Sequence, residues 1–303
     1  MTLRHLPLPL MASVLGLGGL GLMWRQAATS LGVPGWIGEA VLAVMVLDFV
    51  LLAALHAIRL VRHFDVVRNE FESPILAPFF SIFAIGGLMV AGAATPYWPA
   101  AARLLWEISV IAQLILGAVL LARWLRGAAD PAMMAPPLII PFVAAILAAV
   151  FGPPLGHPEV AWAMLGLGLI FWIVLQALLL HRLLAGPPLP PALRPSIVIF
   201  LAPPSVGAVA LMLLEGRTGP LALGLAGLAT LFAMALALMP RHMTESGFSL
   251  VWWSFTFPCC AYAILLMMLV PGVLAWTALA AASLVVLGVS WGTVRLLIAT
   301  SRP

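Results

Sequence analysis

The chain has 303 residues, 64% of them hydrophobic and only 8% charged, and its mean hydropathy is +1.17. A soluble domain is about half apolar and about a quarter charged, so this composition belongs in a bilayer. All fourteen basic residues are arginine, the net charge is +4 and no basic patch is interleaved with aromatics, which speaks against a nucleic-acid partner.

A helix needs about 20 apolar residues to cross the hydrocarbon core. The first candidate, 7–24, follows Arg4 and has the look of a secretory signal, but Pro7, Pro9 and the many later spans make it a first membrane helix. Nine more follow at 37–60, 75–94, 99–122, 137–153, 159–181, 195–214, 219–238, 248–269 and 274–297. The connections are short and leave no room for a separate soluble domain. One all-α, polytopic membrane domain over 1–303 is expected.

Orientation follows from arginine placement. With the N-terminus inside, Arg4, Arg59, Arg62, Arg68, Arg123, Arg126, Arg182, Arg194, Arg241, Arg295 and Arg302 are inside, against Arg25 and Arg217 outside. Both termini are therefore expected on the cytoplasmic face of the inner (plasma) membrane. Arg59, Arg62 and His63 read as ordinary anchors at that face, with a secondary role in gathering anions at an inner mouth as the alternative.

Proline carries a repeat. Odd segments hold it in the first half or near the middle, at Pro9, Pro78, Pro141, the pair Pro203-Pro204, and Pro258. Even segments have it only near their ends, at Pro99, Pro158, Pro220, Pro240 and Pro271. Successive odd prolines are roughly 55 to 70 residues apart, the length of one helical hairpin. Proline deletes a backbone hydrogen bond and kinks a helix, and in lipid the freed carbonyls need protein or an aqueous cavity. The pattern predicts five hairpins, with five bent odd helices inside and five straighter even helices outside. Gly16, Gly18, Gly19, Gly21, Gly86, Gly87, Gly92 and Gly207 suit close packing or a lumen in that inner layer. Residues 16–21 spell G-x-G-x-x-G, but with no preceding strand the match carries no nucleotide site.

Charges inside spans are costly, at roughly 2.5–3.5 kcal/mol on insertion scales, so each needs a reason. Asp48, near the middle of the second helix, reads either as a proton-coupling carboxylate or as a hydrogen-bonded acid buried between helices. Arg103 and Glu107, one turn apart on the fourth, read as an i,i+4 packing pair near the outer mouth. Glu39 starts the second helix where headgroups can solvate it. Cys259 and Cys260 are adjacent, without spaced partners, and indicate neither a disulfide nor a metal site. No histidine spacing, nucleophile elbow, paired catalytic carboxylates or P-loop appears. No metal, cofactor or enzymatic activity is expected.

Phe257 is different. It lies about ten residues into an outward-running helix, roughly 15 Å deep at 1.5 Å per residue, and immediately precedes Pro258. It belongs to a segment that parity places inside. A hydrophobic ring across a narrow lumen blocks ions sterically and by dewetting. Packing is the plainer role, and a gate the sharper one.

Three blocks carry a resemblance. They are Asn69-Glu70-Phe71 running into Ser73-Pro74 and Phe79-Phe80; Gly168-Leu169-Ile170-Phe171-Trp172 through Arg182-Leu183, Leu189-Pro190, Leu193-Arg194-Pro195 and Ala202-Pro203-Pro204-Ser205-Val206-Gly207; and Phe248 with Trp252-Trp253-Ser254-Phe255-Thr256-Phe257-Pro258. Across essentially its whole length the chain resembles the tellurite-resistance/dicarboxylate transporter family, which includes bacterial TehA and the slow anion channel of plant guard cells. The resemblance implies ten helices as five hairpins in a quasi-fivefold ring around a central pore, usually in a homotrimer. It also implies a pore closed by a phenylalanine of the ninth helix, here Phe257. Ser73 replaces the histidine usual before the proline of the first block, and Cys259 follows Pro258. The expected function is a channel for small inorganic or organic anions. The alternative is a proton-coupled transporter or exporter of C4-dicarboxylates, sulfite or tellurite-type oxyanions, with Asp48 or Glu107 taking part.

Overall fold

In hydrocarbon, backbone N–H and C=O groups find no water, so an apolar chain must satisfy them internally, and helices do so within each segment. The computed structural model describes residues 3–127 and 134–301, and every regular element among them is helical. The α-helices are α1 (Ala12–Leu31), α2 (Trp36–Arg62), α3 (Phe64–Glu72), α4 (Ser81–Ala94), α5 (Pro99–Leu125) and α6 (Ile140–Phe151). They continue with α7 (Pro158–Ala185), α8 (Ala202–Glu215), α9 (Pro220–Ala237), α10 (Pro240–Thr244), α11 (Thr256–Leu269) and α12 (Val273–Ser301). Arg302, counted on the inner side above, lies outside the described residues.

Among the described residues nine helices, counted with their 3₁₀ leads, are long and apolar enough to cross a membrane. The stretch expected at 137–153 is the exception, as its helix runs only over Pro136–Phe151. Pro153 and Pro154 lack the N–H groups that would continue α6, and they open a separate 3₁₀ turn, Pro153–Leu155.

The odd-segment prolines share one local structure. Pro9 lies in the 3₁₀ run Leu8–Met11 before α1, and Pro78 in Ala77–Phe80 before α4. Pro141, Pro203-Pro204 and Pro258 sit in the first turns of α6, α8 and α11, each after a 3₁₀ run of its own. The sequence predicts a bent α-helix at these points, whereas the structure has a change of helix type. In the first turn of an α-helix a proline sacrifices no bond, because that N–H has no intrahelical partner. The lead before α8, Pro191–Leu201, is 11 residues long, far beyond an ordinary 3₁₀ run.

Burial separates two layers. In the most apolar stretch of the segments ending in α1, α4, α8 and α11, between 56% and 78% of residues are buried. In α2, α5, α7, α9 and α12 the share is between 22% and 39%, leaving Leu47, Leu51, Ile115 and Ile173 facing outward. Within α6 every residue but Val150 is buried. Each buried helix packs on the exposed helix that follows it, as α1 on α2, α4 on α5, α6 on α7, α8 on α9 and α11 on α12. Among the buried helices α1 packs on α4 and α11, α6 on α4 and α8, and α8 on α11.

Polar groups of the outer layer serve the inner one. On α5, Gln113 Nε2 donates to Pro141 O at 2.7 Å and Trp106 Nε1 to Ala148 O at 3.0 Å, both on α6. On α12, Thr293 Oγ1 accepts from Trp253 Nε1 at 3.0 Å, holding the lead of α11.

Close approach is concentrated at a few glycines. A Cβ at Gly168 on α7 would lie 2.8 Å from Phe142 O and 2.9 Å from Ile146 N, both backbone atoms of α6. Gly168→Ala therefore forces α6 and α7 apart. The expected loss is about 1–3 kcal/mol, the usual cost of overpacking, read as a lowered unfolding midpoint in detergent. An unchanged midpoint would contradict the packing described.

Candidate functional site

Two chambers lie between the buried helices. The first, about 310 Å³, is lined from Gly19 of α1, Leu147 of α6, Val206 of α8 and Phe257 of α11 toward the C-terminal end of each helix. The second, about 50 Å³, is lined toward the N-terminal ends of all five buried segments, by Leu15, Ile82, Val143, Ile199 and Ser254 among others. Phe257 and Leu147 line both. The Phe257 ring thus stands at the junction, 7% exposed, with Gly19 of α1 opposite it. A Cβ at Gly19 would come within 3.2 Å of Phe257 Cδ2, so glycine there leaves the ring its place.

Why the chain places the ring here is local. Thr256 starts α11, its Oγ1 donating to Trp253 O at 2.7 Å, and Pro258 occupies the first turn without losing a bond. Phe257 lies between them, and its helix packs on both α1 and α8.

Among the described residues, neither chamber is lined by a carboxylate, and Arg25 is the one charged side chain that lines either. Its guanidinium is held bidentately by Glu39 on α2, Nε to Oε1 and Nη2 to Oε2 both at 2.7 Å. It also donates to Gly92 O at 3.0 Å and Ala93 O at 3.1 Å, capping the C-terminal carbonyls of α4. Tyr97, between α4 and α5, donates its hydroxyl to Glu39 Oε2 at 3.0 Å, and that carboxylate holds the phenol above its ordinary pKa. Glu39, expected at a level where headgroups can solvate it, is thus also bonded across helices.

The remaining charges lie elsewhere. Asp48 accepts from Ser13 Oγ of α1 at 2.5 Å and lines neither chamber. Arg103 Nε reaches Glu107 Oε1 at 2.9 Å, and the same oxygen meets His157 Nε2 at 2.6 Å, with the His157 ring stacked on Trp106. The structure therefore joins Arg103 and Glu107 to His157, away from both chambers and from Asp48. Arg59, expected as an anchor at the inner face, is 2% exposed and bonds Glu70 on α3 bidentately, at 2.7 and 2.6 Å. Phe71 lies beneath Arg123, 4.2 Å from guanidinium carbon to ring centroid, and its carbonyl accepts from Arg123 Nη1. Cys259 and Cys260 are free thiols, and no cluster with metal-ligating composition occurs among the described residues.

Sequence reasoning missed Leu147 and Arg25. Leu147 carries no signal, being one aliphatic residue among many in α6. Arg25 has one: it is the only arginine at the C-terminal end of the first apolar run, where an unbalanced cation beside lipid needs a partner.

A family model described as SLAC1, voltage-dependent anion channel, matches residues 5–298. The chain belongs to this family. Over 270 residues it is 25% identical to the S-type anion channel SLAH3 of Arabidopsis thaliana, covering 86% of this chain and 42% of the relative. Over 252 residues it is 26% identical to a tellurite resistance protein TehA homolog of Haemophilus influenzae, covering 82% and 76%. Against the guard cell S-type anion channel SLAC1 of Arabidopsis thaliana it is 24% identical over 272 residues, covering 84% and 48%. The chain thus spans less than half the length of these two plant channels. Membership in the family, with the long apolar helices, makes this a multi-pass membrane protein.

Proposed function

We propose that this protein is an anion channel of the inner membrane, passing small inorganic or organic anions through a central pore that Phe257 closes. In this reading residues 1–303 form one domain of ten transmembrane helices, with Pro136–Phe151 completing the fifth. Five hairpins stand in a quasi-fivefold ring, the proline-led helices lining the pore, and three copies assemble as a homotrimer. Arginine asymmetry supports cytoplasmic termini. The C-terminal chamber then faces outside and the smaller one the cytoplasm.

The observation that carries this reading is the position of Phe257 between two chambers whose walls bear no carboxylate among the described residues. A lumen without acids removes the electrostatic barrier to anions, while an aromatic ring in its narrowest part blocks hydrated ions. Relatives named as anion channels support the same class. The deciding experiment is a series of currents from purified protein in planar bilayers under ion substitution. Reversal potentials that follow the anion gradient support the channel.

Asp48 separates this from a proton-coupled exporter. Its bond to Ser13 and its place outside both chambers support a structural role. Asp48→Asn keeps an acceptor for that hydroxyl, so it is expected to leave the reversal potential unchanged in a proton gradient. A pH-dependent reversal potential that Asp48→Asn abolishes would establish coupling instead.

A further inference from the structure

We propose that a cavity between α2, α3 and α4, separate from both chambers, binds a membrane amphiphile whose head carries an oxyanion. The cavity measures about 300 Å³, against about 30 Å³ for one water in the liquid. Its walls are mostly apolar, with Phe80 and Phe83 on one side and Leu8 on another. Its polar groups are His56, Arg59 and Glu70. The outward edge is formed by Ala57 and Leu60 of α2, both exposed on a span that faces lipid.

His56 points to a ligand. Its side chain is 6% exposed and packs edge-to-face on Phe83, with ring centroids 5.6 Å apart. Among the described residues, Nε2 meets no hydrogen-bond partner. A buried polar atom left unpaired costs about 1–3 kcal/mol, so such an atom on the wall of a roomy cavity calls for a partner. Arg59 and Glu70 do not supply one, because they are spent on each other.

Charge decides the head. Around this end of α2, Arg4 pairs with Asp65, Arg59 with Glu70 and Arg68 with Glu72. Arg62, exposed on the last turn of α2, has no carboxylate partner among the described residues. An uncompensated cation at the same end of α2 favours an anionic acceptor, which takes a hydrogen bond from Nε2–H of the buried imidazole. The apolar walls and lipid-side mouth suit an alkyl tail, as carried by a fatty acid or an anionic phospholipid. Leu8 and Phe80 belong to the 3₁₀ leads of α1 and α4, so an occupant braces the start of two buried helices.

Purified protein in detergent is titrated with phosphatidylglycerol, oleate, phosphatidylcholine or inorganic phosphate, and binding is read by native mass spectrometry and by the unfolding midpoint. Phosphatidylglycerol or oleate is expected to bind saturably and raise the midpoint, and the better of the two names the source. Phosphatidylcholine and phosphate are expected to do neither. His56→Phe removes the donor, and Ala57→Trp, at an exposed position, closes the mouth without touching the buried groups. Each is expected to weaken binding about tenfold or more, the scale of one hydrogen bond to a charged group. Equal binding of phosphatidylcholine, a response to phosphate alone, or full binding retained by folded Ala57→Trp protein overturns the proposal. None of these readouts depends on ion conduction.

Discussion

Phe257→Ala is expected to raise anion current several-fold at fixed voltage and equal surface expression. Phe257 lines both a chamber of about 310 Å³ and one of about 50 Å³, and its truncation is expected to merge them. Magnitudes distinguish a plug from a packing residue. A phenylalanine embedded in a well-packed core costs roughly 3–5 kcal/mol when cut to alanine, through lost burial and the cavity left behind. Phe257 already has open volume on two sides, so its removal is expected to cost clearly less stability while changing the current far more. Leu147→Ala, at the same junction but with fewer atoms removed, is expected to raise the current less. Bilayer recordings check both, and an unaltered current in Phe257→Ala at equal expression would refute the gate.

Glu70→Ala is expected to produce the largest loss of stability. Arg59 is 2% exposed and Glu70 supplies both of its carboxylate contacts, at 2.7 and 2.6 Å. Removing the acid strands a guanidinium among Leu8, Phe80 and α2, and breaking a buried pair in this way costs about 3–5 kcal/mol. Thermal unfolding in detergent, or the yield of folded protein, reads the effect. Glu72→Ala is the control. Its partner Arg68 is exposed and its pair is an i,i+4 contact in water, so the midpoint is expected to stay where it is. Equal midpoints for the two variants would show that Arg59 reaches solvent.

Much of the fold is legible from proline alone. Pro9, Pro78, Pro141, Pro203-Pro204 and Pro258 mark the five segments that the structure buries, and the even segments, with proline only near their ends, are those it leaves exposed. The rule behind this is local. A missing N–H has the same consequence wherever the chain goes, and in a bilayer it directs the segment toward protein. The local consequence differs from the expected kink, because each of these segments opens with a 3₁₀ run, from four residues before α1, α4 and α6 to 11 before α8.

Composition and the order of breaks along the chain were enough to establish a helical, multi-span membrane protein and which of its segments lie inside. Tertiary structure alone decided which side chains meet: Arg25 with Glu39, Glu107 with His157, Arg59 with Glu70 across a turn, and Leu147 with Phe257 on the walls of both chambers. The reason is the solvent. Lipid is as apolar as leucine, so a membrane helix need not vary its hydrophobicity from face to face, and the periodicity that reveals partners in water is absent. Backbone chemistry is written residue by residue in such a chain, whereas the pairing of faces exists only once the helices have packed.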